Sequence, residues 1–405
     1  VLYLNDRIKQ ITEKNKVKLL FASDVCFNYL SLISKPCDKA TSEAAMKEPR
    51  ELFRAADFSM LNLENIFGIR EENEPIIKAG PNLISEDRFI NYINALSPTA
   101  IGLANNHTKD FGEPAMLHTL ELLRGEGYTC IGAGKNIDEA YLPAEFSKGG
   151  ISVSVIAVCE NEFGIADREV SGTAGYNITR VTKAIFSAKE KGSLPIIYFH
   201  GGNEINPFPS PGKIDLYRHF IDIGAVAVIA MHTHCPQGYE IYDGKPIVYS
   251  MGNFFFPPRP NPDRKKSWFY GYMSGLEIDG EGVVLTTYPY VFDENGIKLL
   301  SGEEKEYFDR YISRISRDIK DPVIMRDLFD SWCLTQGYID TLTDYTVGML
   351  YTADPFTARS MRNNFSCEAH NELLTNSFKM MYEERVQRAI PGKETIAKLQ
   401  DLILD

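Results

Sequence analysis

From residue 17 to 298, short apolar runs alternate with amphipathic stretches, and this rhythm restricts the fold more than any other feature. The strand-like runs are 17–23, 58–63, 99–104, 128–132, 151–158, 194–199, 225–231 and 246–250. Between several of them lie stretches with helical spacing, 113–125, 178–190 and 213–223. Such alternation is the signature of an α/β fold. Gly275–Ile278 and Val283–Thr287 flank Asp279-Gly280-Glu281-Gly282, which predicts a hairpin. An antiparallel component follows, so the sheets are expected to be mixed.

After Lys298 the texture changes. Residues 303–316, 321–335, 338–351, 366–386 and 393–404 read as helices separated by short turns, with Pro391 and Gly392 punctuating the last. At 405 residues the chain exceeds the usual domain of about 100–150 residues. The expectation is an α/β domain over 1–298 and a helical extension over 299–405. That extension carries one histidine, His370, and no clustered ligand set in sequence. Its roles are open between packing, dimerisation and covering a site.

Several strand-like runs end in groups that bind metals or move protons. The chain has seven histidines, and four follow such runs: His107, His200, His232 and His234. His232-Thr233-His234 comes directly after the apolar run 225–231, where open α/β folds bind their ligands. Neutral imidazole is a common ligand for divalent transition metals. Asp24 follows the first run, Glu64 closes the second, and Asn105-Asn106-His107 with Asp110 follows the third. His200-Gly201-Gly202-Asn203-Glu204 follows the run 194–199. Carboxylate, amide and imidazole ligands together suit Mn, Fe or Zn, one or two ions per chain. Two such ions can clamp a phosphoryl group and generate hydroxide near neutral pH.

Composition narrows the partners. A net charge of −12 argues against a nucleic-acid binder, which would carry a basic face. The 44% hydrophobic and 24% charged content is that of an ordinary globular protein. Seven cysteines contain no CxxC pair, which indicates neither a zinc ribbon nor a thioredoxin motif. Several lie in apolar segments, where a free cysteine packs as a small hydrophobe, a usage that suits a reducing compartment. No apolar run approaches the roughly 20 residues of a membrane helix, and the opening Val1-Leu2-Tyr3-Leu4 is short for a signal core. No membrane span is expected, and location stays open between cytoplasm and cell envelope. One basic stretch stands out: Pro257-Pro258-Arg259-Pro260-Asn261-Pro262-Asp263-Arg264-Lys265-Lys266. Over the site it would hold an anion; the alternative is a solvated loop.

These segments resemble the CapA (poly-γ-glutamate capsule synthesis) branch of the calcineurin-like metallophosphoesterases, over about residues 17–290. The resemblance rests on Asn62-Leu63-Glu64, Leu103-Ala104-Asn105-Asn106-His107 with Asp110 and Gly112, and Gly132-Ala133-Gly134. It continues through His200–Glu204, His232–Glu240 and Tyr249-Ser250-Met251-Gly252-Asn253-Phe254. It implies a four-layer α-β-β-α sandwich. By that resemblance Asp24 and His234 hold one metal, and His200, His232 and Asn106 the other, with Glu64 in the bridging place. His107 looks like the general acid, working with metal-bound hydroxide, and Asp110 its orienting carboxylate. For Asp110 the alternative is a carboxylate that merely favours a helix N-terminus. Asn105, Asn203, Glu204 and Arg259 are the expected substrate contacts.

The chain departs from the pattern at Asp24-Val25-Cys26, where the superfamily has Asp-x-His. Cys26 is open between a thiolate ligand and a buried structural cysteine. Gly201 stands where the family often has tryptophan. The implied function is a metal-dependent phosphoesterase-like hydrolase with an anionic substrate, a phosphoester or a γ-glutamyl polymer. The alternative is a non-catalytic accessory protein that binds polymer or capsule-synthesis partners.

Overall fold

The computed structural model describes residues 16–279, 281–336 and 354–404. The helix expected over 338–351 and Gly280 of the expected hairpin turn lie outside the described residues. Two mixed sheets dominate. In the eight-stranded sheet the order is Gly296–Leu299, Val283–Asp293, Tyr270–Ile278, Val17–Val25, Phe58–Leu63, Ala100–Gly102, Thr129–Ile131. Asn253–Phe255 pairs with the end of Val17–Val25. From Val17–Val25 through to Thr129–Ile131 the pairing is parallel, and on the other side it is antiparallel. The six-stranded sheet runs Tyr239–Tyr242, Lys245–Val248, Ala227–Met231, Leu194–His200, Ile151–Cys159, Ala144–Lys148. Its centre is parallel and both its edge strands are antiparallel.

Strand periodicity explains how the sheets stack. Along Val17–Val25, the side chains of Val17, Leu19 and Phe21 join the core shared with the second sheet. Leu20 and Ala22 join the cluster on the opposite face, as a period of two requires. Across the inter-sheet core the Phe21 and Tyr198 rings lie 5.9 Å apart, and Phe58 and Phe146 5.5 Å. The Tyr198 hydroxyl donates to the Ala22 carbonyl at 2.7 Å, so this buried phenol is satisfied by the facing strand. Helices Ile90–Leu96 and Gly112–Gly125 bury Tyr92, Leu96, Leu120 and Leu123 against the outer face of the first sheet. Helices Ile178–Glu190 and Pro211–Asp222 bury Val181, Ile185, Tyr217 and Phe220 against the second. Each fully buried aromatic of this kind contributes about 1.5–3 kcal/mol.

The hairpin expected near 279 is present and longer than its sequence signal, pairing Tyr270–Ile278 with Val283–Asp293. Short helices at Lys39–Ala45 and Lys47–Ala55 had no counterpart in the periodicity. The Asp38 side chain caps the first by accepting from the Ala40 and Thr41 amides. Among the described residues of the C-terminal region the helices are Gly302–Ile319, Pro322–Gln336, Pro355–Ser366, Glu368–Tyr382, Val386–Ala389 and Gly392–Gln400. The helix expected over 366–386 is interrupted at Cys367, whose extended backbone (ψ 129°) separates two helices. Pro355–Ser366 starts at Asp354, which accepts from Thr357 N, with proline in the first turn. Phe308, Tyr311, Ile315, Trp332 and Leu373 belong to the same buried cluster as the inter-sheet core, so these helices pack directly on the α/β part.

Candidate metal centre

The parallel strands of both sheets deliver their carboxyl ends to one place. Asp24 lies at the end of Val17–Val25, and Glu64 directly follows Phe58–Leu63. His200 ends Leu194–His200, and His232 directly follows Ala227–Met231. One ligand atom each from Glu64, His200 and His232 lie within 4.8 Å of one another, and the same holds for Asp24, Glu64 and His234. The two groups share Glu64. Asn106 Oδ1 lies 3.0 Å and His232 Nδ1 2.9 Å from His200 Nε2, so three loops converge on one point.

Glu64 tests whether these residues fit a metal. Both its carboxylate oxygens are buried without a hydrogen-bond partner. They are ringed instead by ring nitrogens: Oε1 lies 3.7 Å from His200 Nε2, 3.7 Å from His234 Nε2 and 3.9 Å from His107 Nε2. An unpaired buried carboxylate is costly unless a cation meets it. Burial, then the Asp24 and Glu204 carboxylates, hold the Glu64 carboxyl well above its usual range. Burial pushes Asp24 the same way, but its bond to His200 and the His200 and His234 charges outweigh it and hold it low. Burial and the neighbouring His200 keep His232 well below the usual imidazole range. A donor set of imidazole, carboxylate and amide, with its imidazole kept neutral, fits a divalent transition metal.

The backbone is bent to achieve this. His232 has φ 98° and His234 φ 55°, a region that non-glycine residues rarely occupy and that costs of order 1–3 kcal/mol each. The His232 amide donates to Asp24 Oδ2 at 3.0 Å, which offsets part of that cost. His234 Nδ1 lies 2.8 Å from Asn253 Oδ1, which fixes the tautomer and leaves Nε2 facing Glu64. Asn62 Nδ2 donates to Asp24 Oδ1 at 2.7 Å.

His107 stands beside this centre with its own support. Its Nδ1 lies 2.6 Å from Asp110 Oδ2, so Asp110 orients the ring and Nε2 faces Glu64. Asp110 Oδ2 also accepts from Leu83 N at 2.7 Å. Lys78 is the residue that sequence reasoning missed here. Its buried ammonium pairs with Asp110 and lies 3.1 Å from His107 Nδ1. Burial and then the Lys78 charge lower the affinity of His107 for a proton, and Asp110 opposes them. Only the Lys78 charge, within a loop of no regular period, marked it in the sequence.

The other expected contacts divide. Asn105 spends its side chain on the loop, donating to Leu63 O and accepting from His107 N. Asn203 and the exposed Glu204 line a cavity of about 240 Å³ beside Asn106, His107 and His232. Trp332, Asn363 and His370 form its far wall, so the C-terminal helices cover the site. Arg259 is exposed and lines a separate surface hollow with Asp293 and Glu294, outside that cavity. It is Arg264 that stacks 4.3 Å over Trp268, whose ring lies 4.7 Å from that of His234. Cys26 lies in the aromatic core with its thiol pushed well above its usual range by burial, outside both ligand groups. Gly201 has no room for a side chain, since a Cβ would meet Glu160 Cγ at 2.6 Å. His118 pairs with Asp87 at the surface.

An α/β protein with mixed sheets, a helical C-terminal region and buried clusters of metal-binding side chains is the class these observations define. The chain belongs to the family described as bacterial capsule synthesis protein PGA_cap, which matches residues 2–258. It is 23% identical over 227 residues to the PGA biosynthesis protein CapA of Bacillus subtilis, covering 55% of this chain and 60% of that one. It is 27% identical over 194 residues to the capsule biosynthesis protein CapA of Bacillus anthracis, covering 46% and 47%. A probable polyglutamine synthesis accessory protein of Mycobacterium tuberculosis is 28% identical over 174 residues, covering 40% and 46%. The matches thus span about half the length of these relatives. Among solved structures, a novel phosphatase of Mycoplasma pneumoniae aligns with a TM-score of 0.43 at 12% identity, over 69% of this chain and 95% of that one. Among the described residues no helix is long and apolar enough to cross a membrane.

Proposed function

We propose that this chain is a metal-dependent hydrolase of the phosphoesterase type, built as an α-β-β-α sandwich over 1–298 with its extension, 299–405, covering the site. The observation that carries the reading is Glu64, a buried carboxylate without hydrogen-bond partners, shared by two ligand groups. Asp24 and His234 would hold one ion, and His200, His232 and Asn106 the other, with Glu64 between them. Bound there, divalent ions polarise a phosphoryl oxygen and make water a nucleophile near neutral pH.

The chain's own residues supply the rest. Asp110 holds the Nδ1 proton of His107 and turns Nε2 toward the centre. Asp110 also favours the imidazolium, whose second proton, at Nε2, is given to the leaving oxygen. Lys78 and Arg264 add positive charge near an otherwise acidic site and favour an anionic substrate. Asn203 and Glu204 meet the part of the substrate that fills the cavity. A second reading, an accessory role in capsule-polymer synthesis with polymer or protein partners, is favoured by Cys26. It withdraws from the first ligand group the histidine its superfamily uses.

Elemental analysis of chain purified without chelator, beside His232→Ala/His234→Ala, separates the two. A wild type that holds about two more equivalents of Mn, Fe or Zn than the variant, with phosphoester turnover that disappears in His107→Gln, supports the hydrolase. Equal metal content in the two chains after reconstitution with Mn or Zn refutes it and leaves the accessory reading.

A further inference from the structure

The helical extension carries one histidine, and the fold sets it against a carboxylate from the α/β part. Cys367 caps helix Glu368–Tyr382 and His370 lies in its first turn, three residues on, so both reach the same side. Glu162 lies in the bend after strand Ile151–Cys159. One ligand atom from each of Glu162, Cys367 and His370 lie within 4.8 Å of one another. His370 Nε2 is 3.1 Å from Glu162 Oε1. Cys367 is buried, whereas Glu162 and His370 line the 240 Å³ cavity, so solvent reaches the group from one side.

Burial lowers the affinity of His370 for a proton, but its bond to Glu162 outweighs this and raises it, and the Lys78 charge reaches Glu162 as well. Glu160 Oε2 lies 3.8 Å from Cys367 Sγ, and Glu368 is the next residue. Lys213 is paired with Glu160 Oε1.

We propose that Glu162, Cys367 and His370 bind a zinc-class divalent ion, distinct from the Glu64 centre, that clasps the extension to the α/β part at the cavity wall. Thiolate, imidazole and carboxylate form a donor set suited to zinc and poorly suited to magnesium or calcium. As the metal binds, the Cys367 thiol and His370 Nε2, which shares its proton with Glu162 Oε1, each release a proton to solvent, with no change of oxidation state. Three protein ligands leave a fourth position on the cavity side for water. The thiolate is what sets this site apart, since neither group around Glu64 contains a cysteine.

Cobalt(II) added to metal-free full-length chain reads that difference. The expected result is a thiolate-to-cobalt charge-transfer band in the near ultraviolet, of the intensity of one thiolate ligand. It should persist in His232→Ala/His234→Ala, vanish in Cys367→Ser, and need at least tenfold more cobalt in His370→Gln. No band in the folded wild-type chain overturns the proposal, as does a band that survives Cys367→Ser. Should Cys367→Ser not fold, unchanged cobalt affinity in both His370→Gln and Glu162→Gln overturns it instead. A band without any metal at the Glu64 centre would sink the hydrolase and leave this site standing.

Discussion

Glu64→Gln separates a carboxylate kept for a metal from one kept for the fold. A structural carboxylate would have donors, and loss of its charge would destabilise the chain. Glu64 has none at either oxygen, so in metal-free protein it is a burden. Leaving a buried polar group unsatisfied costs about 1–3 kcal/mol, more when it is charged. Glutamine keeps the shape, removes the charge and offers a donor to the ring nitrogens nearby. Unfolding entropy of about 2.1 cal/mol/K per residue gives roughly 0.85 kcal/mol/K for 405 residues. The metal-free variant should therefore melt about 1–4 °C above metal-free wild type. Metal at a hundred times its dissociation constant stabilises wild type by about 2.7 kcal/mol, about 3 °C on the same scale. In the variant most of that gain should vanish. Calorimetry of both chains, with and without Mn, reads the four values. A metal-free variant that melts below wild type, or keeps the full metal shift, would refute the assignment.

Asn253→Ala should leave the fold intact and weaken metal binding about 10–100-fold, because His234 loses the partner that orients it; isothermal titration with Zn measures this. Gly132→Ala should destabilise the chain by about 2–6 kcal/mol, combining about 1–3 for the unfavourable backbone with about 1–3 for overlap. Gly132 has φ 88°, and a Cβ there would lie 2.5 Å from Ala104 N, which a urea midpoint will register. Burial raises the Asp57 carboxyl, but its bond to Lys148 outweighs that and holds it below its usual range. Its stabilising effect is then complete above the unfolded pKa of about 3.9 and disappears as pH falls through the lower folded value. Urea midpoints of wild type and Asp57→Asn should differ at pH ~7 and converge below pH ~4; a gap that widens on acidification contradicts the pairing.

What the sequence revealed followed from period and strand ends. Asp24, His200 and His232 were legible because each lies at the end of a strand or directly after one, and strand polarity fixes where that end points. The same logic brought Asn106 and His107 into view after Ala100–Gly102. Lys78 and Glu162 were not legible, since both lie in loops whose path no periodicity records. The basic segment shows the limit most clearly. Arg259 and Arg264 were equivalent as sequence, and the turn at Asn261–Arg264 gave them different surroundings. One faces Asp293 and Glu294, and the other stacks on the indole that backs His234.

The helical extension shows why reading each segment alone falls short. In sequence it offers one histidine and no clustered ligand set, and its roles could not be separated. In space, His370 meets Glu162, 208 positions earlier. Asn161 is bound by Glu368, and Ser210 donates to Glu372. Those contacts make helix Glu368–Tyr382 a wall of the cavity over His107 and His232. Whatever reaches the Glu64 centre from this side must pass groups supplied by the extension. Part of that cavity wall therefore comes from residues that the family match, ending at 258, does not include.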